Sequence, residues 1–164
     1  MKEIALDSID LQLLTQLQRD ASVSNQMLAE RVHTSPATCL RRVKGLRDAG
    51  LIERQVAILN PEKMAARIGF GLTAIVEITL DRQDAQALDR FEARVAEITQ
   101  VQQCYRVSPG PDFCLVVHAA DMPDYQALAQ HLFTSDANVR NVKTYFSIKR
   151  SKFGAELPIH AKRP

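Results

Sequence analysis

Apolar residues recur at helical spacing through the first fifty positions, and the period changes to strict alternation around position 70. Ile9, Leu13, Leu14 and Leu17 predict a helix over 8–19. Asp7 stands directly before this run and Asp10 three residues on, acids suited to the exposed amides of a helix start. Ser24 opens a second, short helix from Asn25 to about Val32, with Leu28, Ala29 and Val32 turned inward. Ser35-Pro36 opens a third, since serine caps well and proline suits the first helical position. Cys39, Leu40, Val43 and Leu46 make its buried stripe, and Gly50 supplies the left-handed residue that ends it. The run Leu51 to Leu59 reads as a strand that Asn60-Pro61 terminates, so a domain boundary falls there.

Beyond the boundary, Phe70, Leu72, Ala74, Val76, Ile78 and Leu80 alternate, the mark of a half-buried strand. Helical spacing returns from Asp84 to about Ile98 through Leu88, Phe91 and Val95. Val101 to Val107 reads as a strand, Ser108-Pro109-Gly110-Pro111 as a turn, and Phe113 to Ala119 as another strand. Met122 to Phe133 is helical and Val142 to Ile148 closes the series as a strand, while 161–164 read as a frayed basic tail. The order β-α-β-β-α-β is that of a ferredoxin-like domain. The expected fold class is therefore α+β: a winged helix-turn-helix domain with a strand linker over 1–60, then a ferredoxin-like domain over 61–164.

Composition narrows the function. A length of 164 residues suits one large domain or two small ones, and 46% hydrophobic residues suffice for folded cores. The N-terminus lacks the basic start and apolar stretch of a signal peptide, and no apolar run approaches the roughly 18 residues of a membrane span. Cys39, Cys104 and Cys114 are scattered and odd in number, which points to a reducing, cytoplasmic setting. His33, His118, His131 and His160 show no metal-ligand spacing, so neither metal nor cofactor is expected. No nucleophile has a neighbouring base and no paired carboxylates stand in a recognisable setting. Catalytic residues, and hence an enzyme, are not expected.

A net charge of +2 says little by itself, but its distribution says more. Between Ser35 and Arg47 stand four basic residues, Arg41, Arg42, Lys44 and Arg47, and no acid. Two helices joined by a short turn project the second outward, where its N-terminal part fits the major groove of double-stranded DNA. On this reading Arg41 and Arg42 face base edges, where arginine can donate two hydrogen bonds to guanine. Ser35 and Thr38 reach phosphate or bases, and Lys44 and Arg47 reach phosphate. A solvated helix face, or a purely structural bundle, yields the same string of residues.

The residues Leu6-Asp7-Ser8-Ile9-Asp10, Leu28-Ala29-Glu30-Arg31-Val32, Ser35-Pro36-Ala37-Thr38-Cys39-Leu40-Arg41-Arg42-Val43-Lys44-Gly45-Leu46 and Gly50-Leu51-Ile52 resemble the helix-turn-helix of the Lrp/AsnC family of leucine-responsive-type regulators. The second half is similar to that family's amino-acid-responsive (RAM-type) domain, including Val107-Ser108, Asp112-Phe113 and Asp121-Met122-Pro123-Asp124-Tyr125. The resemblance covers nearly the whole chain in order. It implies transcription regulation, with Ala37 joining the DNA-facing residues. It also implies dimers formed through the second domain and assembling to an octamer, and an amino acid or related metabolite as effector. By that correspondence the effector site involves Ser108, Pro109, Gly110, Asp112, Phe113, Met122, Thr144 and Tyr145, with Asp112 the partner for an ammonium group.

The chain departs from the family's pattern at two places. His33 stands where the family usually has glycine, in the turn before the third helix, and histidine is among the residues that tolerate positive φ. The loop 108–112 carries its glycine one place late, between two prolines, which stiffens and reshapes it. A different class of function also fits the sequence: a metabolite-binding oligomer whose first domain is a protein-interaction or weakly specific architectural DNA module.

Overall fold

Local signals in the sequence set the start and end of each helix. In helix α1 (Ser8–Arg19), the Asp7 carboxylate accepts from the Asp10 amide at 2.9 Å and the Asp10 carboxylate accepts from the Asp7 amide, a reciprocal cap. Helix α2 (Asn25–Arg31) and helix α3 (Pro36–Asp48) start from serine caps at Ser24 and Ser35. Gly50, at φ 72°, ends α3: its own N–H reaches Arg47 O at 2.8 Å, and Leu51 N–H reaches Leu46 O at 3.0 Å. This is a Schellman closure. The computed structural model describes residues 5–69 and 71–159, leaving out the side chain of Glu62. Residues 1–4, Phe70, His160 and the basic tail 161–164 lie outside the described residues.

Among the described residues two compact units form, 5–58 with 152–159, and 59–151. The sequence boundary at 60/61 keeps the chain after the last strand with the second unit, whereas the structure groups it from Lys152 with the first. The contact is specific: Leu157 N–H donates to Gln18 Oε1 and Gln18 Nε2 donates to Leu157 O, both at 2.9 Å. Leu13, Leu28, Ala29, Val32, Cys39, Val43 and Leu46 build the first unit's core.

Three expectations are corrected here. Leu40 is 62% exposed. At about 100° per residue it stands roughly a quarter-turn away from the Cys39/Val43/Leu46 stripe. Residues 51–59 form no strand and no wing. The segment has no regular secondary structure and is exposed save for Ile52, which packs on the first core, and no described strand lies alongside to pair with it. In place of a bare boundary there is a helix, α4 (Pro61–Ile68), capped by Asn60 and ended by Gly69 at φ 75°.

The second unit carries strands β1 (Leu72–Leu80), β2 (Val101–Arg106), β3 (Phe113–Ala119) and β4 (Val139–Phe146). They form one antiparallel sheet in the order β2-β3-β1-β4. Helices α5 (Ala85–Ala96) and α6 (Met122–Ala129), the latter continued by a π-turn over Gln130–Thr134, cover one face. Alternation places Ala74, Val76, Ile78 and Leu80 with Phe113, Leu115, Val117 and Ala119 under these helices. Phe113 is fully buried and stacks on Phe91 with ring centroids 4.8 Å apart. Burying such a side chain contributes about 1.5–3 kcal/mol. No described helix covers the other sheet face, which presents Ile75, Tyr105 and Tyr145. Among the described residues no helix is long and apolar enough to cross a membrane.

Candidate DNA interface and effector residues

The turn before α3 depends on one backbone conformation. His33 takes φ 53°, its N–H reaching Glu30 O at 3.2 Å and the Thr34 N–H reaching Ala29 O at 2.9 Å. The same closure that Gly50 gives α3 is here made by a histidine. Asn25 Nδ2 donates to Pro36 O at 2.8 Å, tying the starts of α2 and α3 together. Ser35 Oγ accepts from the Thr38 amide at 3.2 Å and donates to Thr38 Oγ1 at 2.9 Å. Both hydroxyls therefore serve the cap, but Ser35 stays exposed and Thr38 half-buried.

The basic cluster divides into three parts. Arg41 and Lys44 are exposed and make no ion pair with a described residue; Ala37 and Leu40 share their face. Arg47 is exposed but donates to Gln55 Oε1 at 2.8 Å. Arg42 does not belong with them. Its Nη1 lies 2.8 Å from both Asp7 Oδ2 and Asp10 Oδ1, its side chain is only 22% exposed, and its Nε is buried without a hydrogen-bond partner. At about 100° per residue, Arg42 sits some 60° from the centre of the buried stripe, on the flank next to α1. The expectation that it faces a groove is corrected: it clamps α3 to α1. The Asp10 amide, joined by Arg42, holds the Asp7 carboxyl below its ordinary value, while the two carboxylates raise Arg42 above its own.

The effector residues that the family correspondence names do not converge within one chain. The loop 108–112 adjoins the end of β1: Asp112 N–H donates to Ile78 O at 2.8 Å, and Asp112 Oδ2 accepts from Leu80 N–H at 2.7 Å and Gln83 Nε2 at 3.2 Å. Ser108, Pro109 and Gly110 are exposed at the tip, where Gly110 has φ 117° and the Ser108–Pro109 peptide is cis. Met122 is at the opposite end of the sheet, because Ile78 pairs with Phe113 while Leu72 pairs with Ala119. Six residues of strand put about 20 Å between those ends. Phe113 is a core residue and cannot line an open site in this chain. Thr144 lies on the covered face, 2.6 Å from Tyr125 Oη, whereas Tyr145 points from the bare one.

Among the described residues no group of three or more His, Cys, Asp or Glu is placed to hold a metal ion. Burial raises the Cys39 thiol above its ordinary range, which makes it a packing residue rather than a reactive one.

Residues 6–47 match the AsnC-type helix-turn-helix domain model, and residues 73–157 match the Lrp/AsnC ligand binding domain model. The chain belongs to the Lrp/AsnC family of transcription regulators. It is 36% identical over 148 residues to a leucine-responsive regulatory protein of Haemophilus influenzae, covering 90% of this chain and 87% of the other. It is also 36% identical over 154 residues to the DNA-binding transcriptional activator DecR of Escherichia coli strain K12, covering 94% and 99%. An AsnC family transcriptional regulator from Agrobacterium tumefaciens superposes with a TM-score of 0.83 at 30% identity, over 93% of this chain and 97% of that one. A transcriptional regulator from Neisseria meningitidis, solved as a complex with L-Met, gives 0.83 at 30% identity over 94% and 97%. The chain thus joins a helix-turn-helix to a domain of ferredoxin-like topology that matches the Lrp/AsnC ligand binding domain model.

Proposed function

We propose that this regulator binds double-stranded DNA sequence-specifically as a homo-oligomer, and that an amino acid or related metabolite sets its assembly or its DNA affinity. The observation that carries the reading is the outward face of α3, with Ala37, Leu40, Arg41 and Lys44 on the side of the helix turned away from its buried Cys39/Val43/Leu46 stripe. Arg41 is the candidate for guanine edges and Lys44 for phosphate; Leu40 and Ala37 suit the methyl group of thymine. Ser35, Thr38 and Arg47 border this face, and Arg42 orients it from behind.

The exposed sheet face supports oligomerisation. Ile75, Tyr105 and Tyr145 expose apolar surface across three strands of an antiparallel sheet, the kind of face that a second copy covers. Because the effector residues stand at opposite ends of the sheet, a complete site draws them from neighbouring copies. Asp112, anchored through Oδ2, keeps Oδ1 for the ammonium group of an amino acid. The complex of the meningococcal regulator with L-Met supports a ligand of that class.

A competition gel shift tests the proposal. The expected result is retention of a selected promoter site against excess random-sequence DNA, with retention altered by one of the twenty amino acids. Equal competition by random DNA would leave only a weakly specific architectural module.

A further inference from the structure

Leu40, on the outward side of α3, is 62% exposed, yet neither the helix nor the core requires a leucine there. Arginine, lysine and glutamine form helix about as well as leucine, and the buried stripe of α3 is already made by Cys39, Val43 and Leu46. At about 100° per residue, Ala37, Leu40, Arg41 and Lys44 fall within an arc of roughly 100° on the side away from that stripe. Leu40 and Ala37 thus form a small apolar strip. Beside it stand Arg41 and Lys44, exposed and without an ion-pair partner among the described residues. The acid of that side, Asp48, comes one turn beyond Lys44. Apolar strip and exposed cations therefore share the N-terminal part of the helix, which suits a polyanion that also displays apolar groups. The DNA major groove is such a surface, lying between phosphates and displaying the C5-methyl group of thymine. In 5-methylcytosine the same methyl group occupies the same place.

We propose that Leu40, flanked by Ala37, makes this regulator a discriminator of pyrimidine C5-methyl groups. It prefers thymine to uracil, and 5-methylcytosine to cytosine, at one base pair per bound helix. The inference rests on the reading that α3 enters the major groove and goes beyond it, because groove entry alone requires no methyl contact. Covering the methyl with Leu40 removes apolar surface of both partners from water. The gain is about that of one buried CH2 group, or roughly fourfold in affinity. Neighbouring Cα atoms are about 3.8 Å apart and stacked base pairs about 3.4 Å. The methyl group therefore lies within about two base pairs of the guanine assigned to Arg41.

Fluorescence-anisotropy titrations of the full chain on a site selected from random DNA test this. Each thymine of the site is replaced in turn by 2′-deoxyuridine, which removes the methyl group and keeps every hydrogen-bonding group. At one thymine, within about two base pairs of the guanine whose preference Arg41→Ala relaxes, uracil should weaken the unmodified chain by about fourfold. Leu40→Ala should bind the thymine site more weakly by about the same factor, and uracil there should cost it nothing further. With a cytosine–guanine pair at that place, adding the C5-methyl group should tighten binding of the unmodified chain and leave Leu40→Ala unchanged. Leu40 is exposed and apart from the buried stripe, so Leu40→Ala should melt as the unmodified chain does. Leu40→Gln, which keeps helix propensity, repeats the comparison should the alanine variant unfold. A site with no thymine at which uracil weakens binding overturns the inference, as does equal uracil sensitivity in Leu40→Ala. Either result with Arg41→Ala weakened leaves the groove reading of α3 standing; with Arg41→Ala unchanged, that reading falls as well.

Discussion

Arg42 Nη1 lies 2.8 Å from Asp10 Oδ1, bridging the third helix to the first across 32 positions of sequence. Asp10 is the one charged residue among the buried side chains described, and Arg42 meets it with the rest of its guanidinium half-hidden. The pair fixes the angle at which α3 leaves the core. It also divides two adjacent arginines between separate tasks, Arg42 holding the helix and Arg41 facing outward.

That division gives opposite outcomes for two single substitutions. Arg42→Ala leaves Asp10 buried without its counter-charge and should lower the melting temperature by a few degrees or more. Arg41→Ala touches nothing in the fold and should leave melting within about a degree, since exposed sites away from caps and cores are nearly neutral. Parallel thermal melts of the two variants check this.

The clamp is also sensitive to acid. The Asp10 amide and Arg42 hold the Asp7 carboxyl below its ordinary value of 3.8. A carboxylate depressed in the folded state contributes stability that is fully present above its unfolded value and is lost as pH falls through the folded one. Melts from neutral pH downward should show the loss setting in below about 3.8. Asp7→Asn, starting from lower stability, should show a shallower decline there.

His33 gives a prediction in the stabilising direction. A left-handed conformation costs a side chain about 1–2 kcal/mol, while glycine adds back about 0.5–1 kcal/mol of unfolded-chain entropy. His33→Gly should therefore stabilise the first unit by about 0.5–1 kcal/mol, and His33→Val should destabilise it. Urea denaturation of both variants measures the sign.

Much of this architecture was legible in the sequence because it rests on local signals. Asp7, Ser24 and Ser35 are caps, Gly50 is a helix end, and the alternation from Leu72 to Leu80 is a strand. The helix at Pro61–Ile68 bears the same signature as α3, Asn-Pro before and glycine after. Asn60-Pro61 serves equally to stop an extended run and to start a helix, and the apolar residues before it favour the first reading from sequence alone. The expected strand is absent because the apolar residues of 51–59 state what a segment could do with a neighbour, and the described residues supply none to pair with it. Arg42 differs from the other basic residues of α3 because it meets the carboxylates of Asp7 and Asp10 rather than solvent. Its angular position beside the buried stripe, and the acids Asp7 and Asp10 on α1, were both visible. The effector residues could not be sorted by sequence, because opposite ends of a sheet are close in a list and about 20 Å apart in space.

Asp112 divides its two oxygens between structure and ligand. Asparagine can keep the acceptor that binds the Leu80 amide while removing the charge that an ammonium group needs. Asp112→Asn should therefore leave the assembly intact by light scattering and weaken amino-acid binding by about tenfold or more. Unchanged affinity in calorimetry would assign Asp112 to loop anchoring alone.

The central claim is that the α3 face bearing Arg41 and Lys44 enters the duplex. Quantitative footprinting of Arg41→Ala on a selected site, at fixed salt and with folding verified, tests it most directly. Loss of one bidentate base contact, worth about 1–3 kcal/mol, should weaken specific binding roughly five- to over a hundredfold and relax preference at one base pair. A footprint of unchanged strength and sequence would contradict the account.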